Sequence, residues 1–465
     1  MYKVSIFSHV YTKDNVACIF NSLSIRMLYV PIELVEIYRH PESVEILEGE
    51  YEAFVSSLID SEMWVPLESD EFSLAAGVFS VMDKGVDIHE MVLHMTDYCN
   101  LRCSYCFIED GIGQDYVRRN MSWDTAKHAV DKFIRISSAS TLEDRRTIVF
   151  YGGEPLLNFD VIEKVLAYLK TDYPELKIKT VIITNGLLLD PYIADVFHEY
   201  GVDVCVSLDG PKDVNDACRM TADGCGSFDR VVENIRMLQS HGIDPGLSSV
   251  MTRESVASLG RVADFLFGEL GIKGVGFNHV SIIPSSGDYS GYDEEYENSY
   301  GDSLIRMADI IEAEYPDVYE KRMDYKRNCF LLRTLSKSSC TGTGHQISVS
   351  TDGQIGICQG YMGSRNTFNN SVFDEDYDPR QDEVFIEWSK RSPYNMPECL
   401  SCPALATCGG GCPRNAESLT GSIWGVDKGF CIFSLKAQEW LIWKYYEKVA
   451  LRGRWGNGYF DSGNT

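Results

Sequence analysis

Between residues 89 and 310 the chain alternates short apolar runs with longer stretches whose apolar residues recur at helical spacing. Six runs, at 90–95, 147–151, 179–184, 203–207, 246–251 and 274–280, read as strands. Helices are expected between them at 123–136, 161–172, 191–200, 228–241 and 259–270. Each crossover is long enough to bring the next strand back parallel to the last, in the right-handed sense. Short strands that are apolar throughout imply a parallel sheet buried on both faces. Such a sheet carries its chemistry at the carboxyl ends of its strands.

The residues at those ends are informative. After the first run comes HMTDYCNLRCSYCF, with Cys99, Cys103 and Cys106 on one loop. Three thiolates hold three irons of a cubane cluster and leave the fourth iron open, whereas an electron carrier uses four cysteines. A structural zinc site closes with a fourth Cys or His. After the second run comes Tyr151-Gly152-Gly153-Glu154-Pro155. Two glycines let backbone approach a ligand closely, and a carboxylate there suits an ammonium group. Thr184-Asn185-Gly186 ends the third run and Ser207-Leu208-Asp209-Gly210 the fourth, with polar side chains suited to ribose hydroxyls. Cys205, Cys218 and Cys225 lack cluster spacing and read as structural.

The C-x3-C-x2-C triplet, with aromatic Tyr105 before its last cysteine and a Gly-Gly-Glu-Pro turn after the next strand, resembles the radical S-adenosylmethionine (SAM) enzymes. The resemblance implies an α/β fold with an open, partial (β/α)6 barrel. It implies a [4Fe–4S] cluster on Cys99, Cys103 and Cys106 whose open iron chelates SAM. One electron then cleaves SAM to methionine and a 5′-deoxyadenosyl radical, so a low-potential donor such as flavodoxin or ferredoxin is expected. The SAM contacts carry over to Tyr105, to Gly152, Gly153 and Glu154 for the amino group, to Ser207 for the ribose and to Arg219 for the carboxylate. A guanidinium fork suits that last role.

A second cysteine field follows. Cys340 and Cys358 flank an expected hairpin, 346–350 and 354–357, turned at Asp352-Gly353. Then come Cys399, Cys402, Cys408, Cys412 and Cys431, with Gly409-Gly410-Gly411 between the third and fourth. From spacing alone, two zinc ribbons or iron–sulfur sites fit. Behind a radical SAM core, the pattern is similar to the SPASM domain. That resemblance implies two auxiliary [4Fe–4S] clusters, three clusters in all. Cys399, Cys402, Cys408 and Cys431 then hold the outer one, and Cys340, Cys358 and Cys412 the inner one. Some relatives carry a further cysteine between the first two of the inner set; here 341–357 has none, and Cys329 is a candidate fourth outside the pattern.

An open auxiliary iron would bind a substrate thiolate and lower its pKa. The expected function is therefore a peptide maturase acting on a ribosomally made, cysteine-containing precursor and forming a thioether, as in ranthipeptides. Carbon–carbon cross-linking, anaerobic sulfatase maturation and small-molecule dehydrogenation are alternatives. So is a zinc-bound, non-catalytic peptide-binding scaffold. In sulfatase maturation an aspartate follows the second inner cysteine as base; here Gln359 stands there, and an amide does not remove a proton at neutral pH.

The remaining segments frame this core. Residues 1–88 read as two strands around an Asn21-Ser22 turn, two helices and a returning strand, a winged-helix-like module similar to leader-binding domains of peptide-modifying relatives; a packing extension is the alternative. The divisions expected are 1–88, 89–310 and 311–465. Residues 288–300 read as an acidic surface loop, 296–315 as an amphipathic helix leading out of the barrel, 432–449 as a terminal helix with Leu435, Trp440 and Tyr445 packed, and the last dozen residues as frayed. A net charge of −27 argues against nucleic acid or an anionic membrane as partner. No apolar run reaches membrane-span length and no secretory signal opens the chain, so a cytoplasmic protein is expected. Clustered C-x2-C spacings in such a chain favour metal sites over disulfides.

Overall fold

The computed structural model describes residues 1–42, 51–109, 112, 116–281, 292–451 and 460–461. At the amino end, β1 (Tyr2–Val4) pairs with a later strand, and β2 (Ser8–Lys13), β3 (Val16–Asn21) and β4 (Arg26–Pro31) form an antiparallel meander. Helices α1 (Leu34–Arg39) and α2 (Glu52–Asp60) follow, then β5 (Trp64–Pro66), which closes on β1, and α3 (Glu71–Met82). Side chains alternate across a strand. Thus Ala17, Ile19, Leu28 and Val30 pack on Val35, Tyr38, Phe54 and Leu58 of α1 and α2, while Cys18, Phe20, Met27 and Tyr29 face Phe330, Leu441, Ile442 and Trp443. Beyond the two strands, two helices and returning strand read from the sequence, the module holds β1, β2 and α3.

The barrel strands are β6 (Glu90–His94), β7 (Thr147–Tyr151), β8 (Lys179–Thr184), β9 (Asp203–Ser207), β10 (Gly246–Val250) and β11 (Gly274–Asn278), all parallel and in sequence order. Helix α4 (Trp123–Ser137) starts where the Ser122 hydroxyl accepts from the Thr125 amide, and it buries Ala126, Ala129, Val130, Phe133 and Ile136 at three- and four-residue steps. Then come α5 (Phe159–Asp172) and α6 (Pro191–Tyr200); α6 has Asp190 as cap, proline first and a left-handed Gly201 after its end. The outer layer continues with α7 (Lys212–Cys218), α8 (Phe228–Ser240), α9 (Arg253–Ala257) and α10 (Leu259–Ala263), which runs into a π-helical turn at Asp264–Glu269.

The sheet does not stop at residue 310. After α11 (Glu294–Glu314), β12 (Tyr319–Glu320) joins β11 and leads into α12 (Lys321–Leu332). The expected hairpin is β13 (Gln346–Val349) with β14 (Gln354–Gly356), and β13 also lies parallel on the free edge of β6, pairing Gln346 with Glu90 and Val349 with Leu93. With β15 (Asn370–Ser371) beyond β14, this makes one ten-stranded sheet. Helices α13 (Glu383–Ser389), α14 (Leu405–Cys408), α15 (Pro413–Thr420) and α16 (Lys428–Leu451) complete the chain.

Three expectations change here. The helix expected at 296–315 begins two residues earlier and takes in the end of the expected acidic loop, because the Asp293 carboxylate accepts from the amides of Glu295 and Tyr296, and three glutamates suit the positive end of the helix dipole; residues 288–291 lie outside the described residues. Leu435 is exposed, and α16 packs through Phe433, Ala437, Leu441 and Ile442 instead. Within the last dozen residues, Phe460–Asp461 form β16, antiparallel on β4. No helix among the described residues is long and apolar enough to cross a membrane.

Candidate active site

The triplet loop leaves β6 and is clamped by the turn after β7. The Gly153 amide donates to Thr96 O at 2.9 Å and the Glu154 amide to Tyr98 O at 2.8 Å. A Cβ on Gly152 would stand 2.5 Å from Thr96 O, and one on Gly153 only 2.2 Å from Tyr98 O. The close approach that the glycines permit is therefore between two protein loops. Cys99, Cys103 and Cys106 are half-buried, and each lies in the electrostatic field of another member of the triplet. Burial pushes the Cys99 thiol up to about 11 and Cys103 up to about 12. Buried thiols of this kind ionise when a metal binds them.

Glu154 is fully buried, and its carboxylate is already occupied. It accepts from the Thr184 hydroxyl at 2.6 Å, the Asn185 amide at 2.7 Å and the Leu156 amide at 3.1 Å. Burial lifts its pKa to about 7 against those three donors. Its side chain ties the end of β7 to the end of β8. Thr184 and Asn185 are likewise committed within the protein, Asn185 Nδ2 donating to Asn100 Oδ1 at 2.7 Å on the cysteine loop. Ser207 sits half-buried at the end of β9.

Arg219 and Tyr105 meet at Asp209, read from the sequence as one of the polar side chains suited to ribose hydroxyls. Asp209 is wholly buried and accepts from Arg219 Nε at 3.0 Å, Arg219 Nη2 at 3.2 Å, the Val250 amide at 2.8 Å and the Tyr105 hydroxyl. The guanidinium also lies 5.4 Å from the Tyr105 ring centre. Burial disfavours its charge, but Asp209, Tyr105 and Cys103 outweigh that and hold its pKa well above the ordinary value. Arg219 is thus a buried cation beside the cysteine loop with Asp209 as its resident counter-charge.

Cys358 lies in the field of Cys340 and Cys412, and Cys431 in that of Cys408, Cys399 and Cys402. Cys329 does not join the inner set: on α12 it shares the neighbours Tyr325, Lys326 and Tyr394 with Cys408 of the outer one. A local device recurs at the cysteines, in which the amide two residues on points at the sulfur. Leu101 N lies 3.4 Å from Cys99 Sγ, Gly342 N 3.3 Å from Cys340 Sγ and Gly360 N 3.2 Å from Cys358 Sγ. Such donors favour the thiolate.

Two residues bridge the triplet and the inner set. Tyr151 lies in the field of Cys106, Arg219, Cys358 and Cys205. Arg414, two residues after Cys412, stands 5.7 Å from the Phe107 ring centre and packs on Gly360. Neither has a sequence signature beyond its place in a motif.

The surroundings fit anionic clusters. Lys326 and Arg391 are buried, and among the described residues neither has a carboxylate in ion-pair reach. Lys326 Nζ donates to Thr407 O at 3.2 Å and Ser434 Oγ at 2.9 Å beside Cys408 and Cys402. Arg391 donates to Gly411 O at 3.2 Å and Gly425 O at 3.2 Å in the field of Cys412, Asp427, Cys399 and Cys408. Buried charges need a partner, and metal-bound thiolates supply one. Among the described residues no three His, Cys, Asp or Glu side chains converge on a point that would hold a single ion.

A parallel half-barrel with a three-cysteine loop on its first strand and a glycine clamp on its second defines a radical SAM protein. Residues 93–266 match the family model described as the Radical SAM superfamily, so this chain carries a radical SAM domain and is an enzyme. It is 27% identical over 380 residues to the radical SAM cyclopropyl synthase TigE of Paramaledivibacter caminithermalis, covering 75% of this chain and 73% of that one. The solved structure of native anSMEcpe with bound AdoMet and Cp18Cys peptide superposes with a TM-score of 0.64 at 21% identity, covering 78% of this chain and 98% of that one. SuiB of Streptococcus suis bound to precursor peptide SuiA gives 0.55 at 17%, covering 93% and 100%. These likenesses establish the radical SAM α/β fold with a SPASM-type C-terminal domain.

Proposed function

We propose that this enzyme is a peptide maturase that removes two hydrogens from a ribosomally made precursor peptide and joins a peptide cysteine to carbon as a thioether. In this reading Cys99, Cys103 and Cys106 hold the SAM-binding [4Fe–4S] cluster. Cys399, Cys402, Cys408 and Cys431 hold the outer auxiliary cluster, and Cys340, Cys358 and Cys412 the inner one. SAM lies over the triplet between Tyr105, the Gly152-Gly153-Glu154 turn, Ser207 and Arg219, with Glu154 and Arg219 shaping the site through Thr184, Asn185 and Asp209. Bound SAM and its cluster supply a 5′-deoxyadenosyl radical.

The observation that carries the reading is the inner set. It has three thiols, it faces the triplet through Tyr151 and Arg414, and Cys329 lies with the outer set instead of completing it. A three-thiol cluster leaves one iron for a substrate sulfur. Gln359, whose Oε1 accepts from Gln346 Nε2 at 2.9 Å, offers no base where sulfatase maturation needs one. Residues 1–88 serve as the precursor-recognition module, 89–310 as the radical core and 311–465 as the auxiliary-cluster domain. The enzyme works in the cytoplasm with a low-potential flavodoxin or ferredoxin.

Likeness over three-quarters of the chain to a protein named as a cyclopropyl synthase favours a second reading, ring closure within one residue. Both products are two hydrogens lighter than the peptide. The test incubates a candidate precursor anaerobically with reconstituted enzyme, SAM and a strong reductant. Loss of two hydrogens with one cysteine blocked to alkylation supports the thioether. The same loss with every cysteine free refutes it in favour of ring closure.

A further inference from the structure

Immediately past β11, at the carboxyl edge of the last barrel strand, His279 forms a dyad that the motifs do not use. Its Nε2 is hydrogen-bonded to the carboxylate of Glu297 on α11. The Glu297 side chain is 3% exposed, against 14% for that of His279. The imidazole is held between Tyr300 and Tyr296, with ring centres 5.0 and 5.5 Å away. Among the described residues its Nδ1 has no partner.

The dyad sits where the barrel meets the C-terminal domain. A Cβ on Gly429 would stand 2.2 Å from the Glu297 carboxylate, so the first turn of α16 passes directly over it. Two residues earlier, Asp427 Oδ2 accepts from the Cys412 amide at 2.9 Å. The His279 carboxylate partner is thus joined through one short segment to an inner-set cysteine. On the other side, Arg322 donates to Phe277 O at 2.7 Å and to Asn278 Oδ1 at 2.8 Å, fixing the strand end that delivers the histidine.

A buried carboxylate bonded to one imidazole nitrogen fixes the tautomer and leaves the other nitrogen as an acceptor. We propose that His279 is the proton acceptor of the oxidation, with Glu297 as its positioning residue. This rests on the thioether reading above. As the C–S bond forms, the peptide C–H loses a hydrogen atom, the peptide S–H loses a proton and one electron is left over. SAM chemistry supplies the hydrogen-atom acceptor, and an oxidised auxiliary iron–sulfur cluster is the electron acceptor. The proton goes to His279 Nδ1.

Two measurements on the holoenzyme test this. Nitrogen NMR of histidine-labelled protein at pH 7.5 is expected to show His279 protonated on Nε2 and bare on Nδ1, with that preference lost in Glu297→Gln. A proton on Nδ1 in the wild type overturns the proposal whatever the substrate. In turnover, the ratio of cross-linked peptide to 5′-deoxyadenosine is expected to fall about 100-fold in His279→Gln, within the range usual for loss of a general base. It falls less in Glu297→Asp. An unchanged ratio in His279→Gln overturns the proposal, whereas a wild type that leaves the peptide unmodified overturns the thioether reading, and the tautomer then decides the dyad alone.

Discussion

The clamp between the triplet loop and the glycine turn makes Gly153→Ala a sharp perturbation. The added Cβ would lie 2.2 Å from Tyr98 O, 2.6 Å from Tyr98 C and 3.1 Å from the Cys99 amide. All three are backbone atoms, so no side chain can rotate away. Carbon contacts relax near 3.5 Å, so the loops must part by about 1 Å. That opening breaks Gly153 N to Thr96 O and Glu154 N to Tyr98 O, now 2.9 and 2.8 Å. Each of the two stranded amide donors costs about 1–3 kcal/mol, so the local penalty from them is about 2–6 kcal/mol. A displacement of about 1 Å at a reacting centre costs about 100-fold in rate. The assay is 5′-deoxyadenosine formation from SAM under a strong reductant, together with iron content and the EPR signal of each cluster. The rate is expected to fall about 100-fold while auxiliary-cluster signals persist. Gly77→Ala on α3, where a Cβ meets nothing within 4 Å, is the control and leaves the rate unchanged. Wild-type rates in Gly153→Ala would refute the clamp.

Four further outcomes follow from the same geometry. Replacing Cys99, Cys103 and Cys106 together by Ala abolishes 5′-deoxyadenosine formation and leaves iron and sulfide for the auxiliary sets; retained SAM cleavage contradicts the assignment. Arg219→Ala strands Asp209 without its cation at a cost of about 3–5 kcal/mol, and adding Asp209→Ala recovers part of it, as a double-mutant cycle in denaturant would show. Glu154 has its pKa raised from 4.5 to about 7 by burial, so its stabilising contribution is complete below about pH 4.5 and is lost as pH rises through about 7. Relative to Glu154→Gln, the wild type therefore loses about 2–3 kcal/mol between pH 5 and pH 8, measurable from unfolding midpoints. Cys329→Ala leaves the spectrum of the inner set unchanged, because Cys329 lies beside Cys408; a changed inner spectrum would show that it is a ligand there.

Much of this enzyme was decided locally. The six strands and the helices between them follow from apolar periodicity, and they appear within a few residues of where the pattern places them. The glycines before Glu154 and the cysteine spacings are equally local, because a loop of eight residues can only bring its own thiols together. What lies apart in the chain was beyond that reach. That β13 docks on the edge of β6 depends on an unpaired row of backbone groups more than 250 residues away, and no periodicity in 346–349 records it. The same is true of the carboxylates. Glu154 and Asp209 sit in motifs that suggest a ligand, yet Thr184, Asn185, Tyr105 and Arg219 reach them first, since a buried carboxylate takes whatever donors the packing provides. His279 and Glu297 are eighteen residues apart and carry no shared signature. The packing of α11 beside the end of β11 makes them a pair, and the passage of α16 over Glu297 keeps water from it. Sequence determined which residues belong to each strand and each cysteine loop; tertiary packing decided which charges meet, because burial leaves each charge only the partners that the fold brings to it.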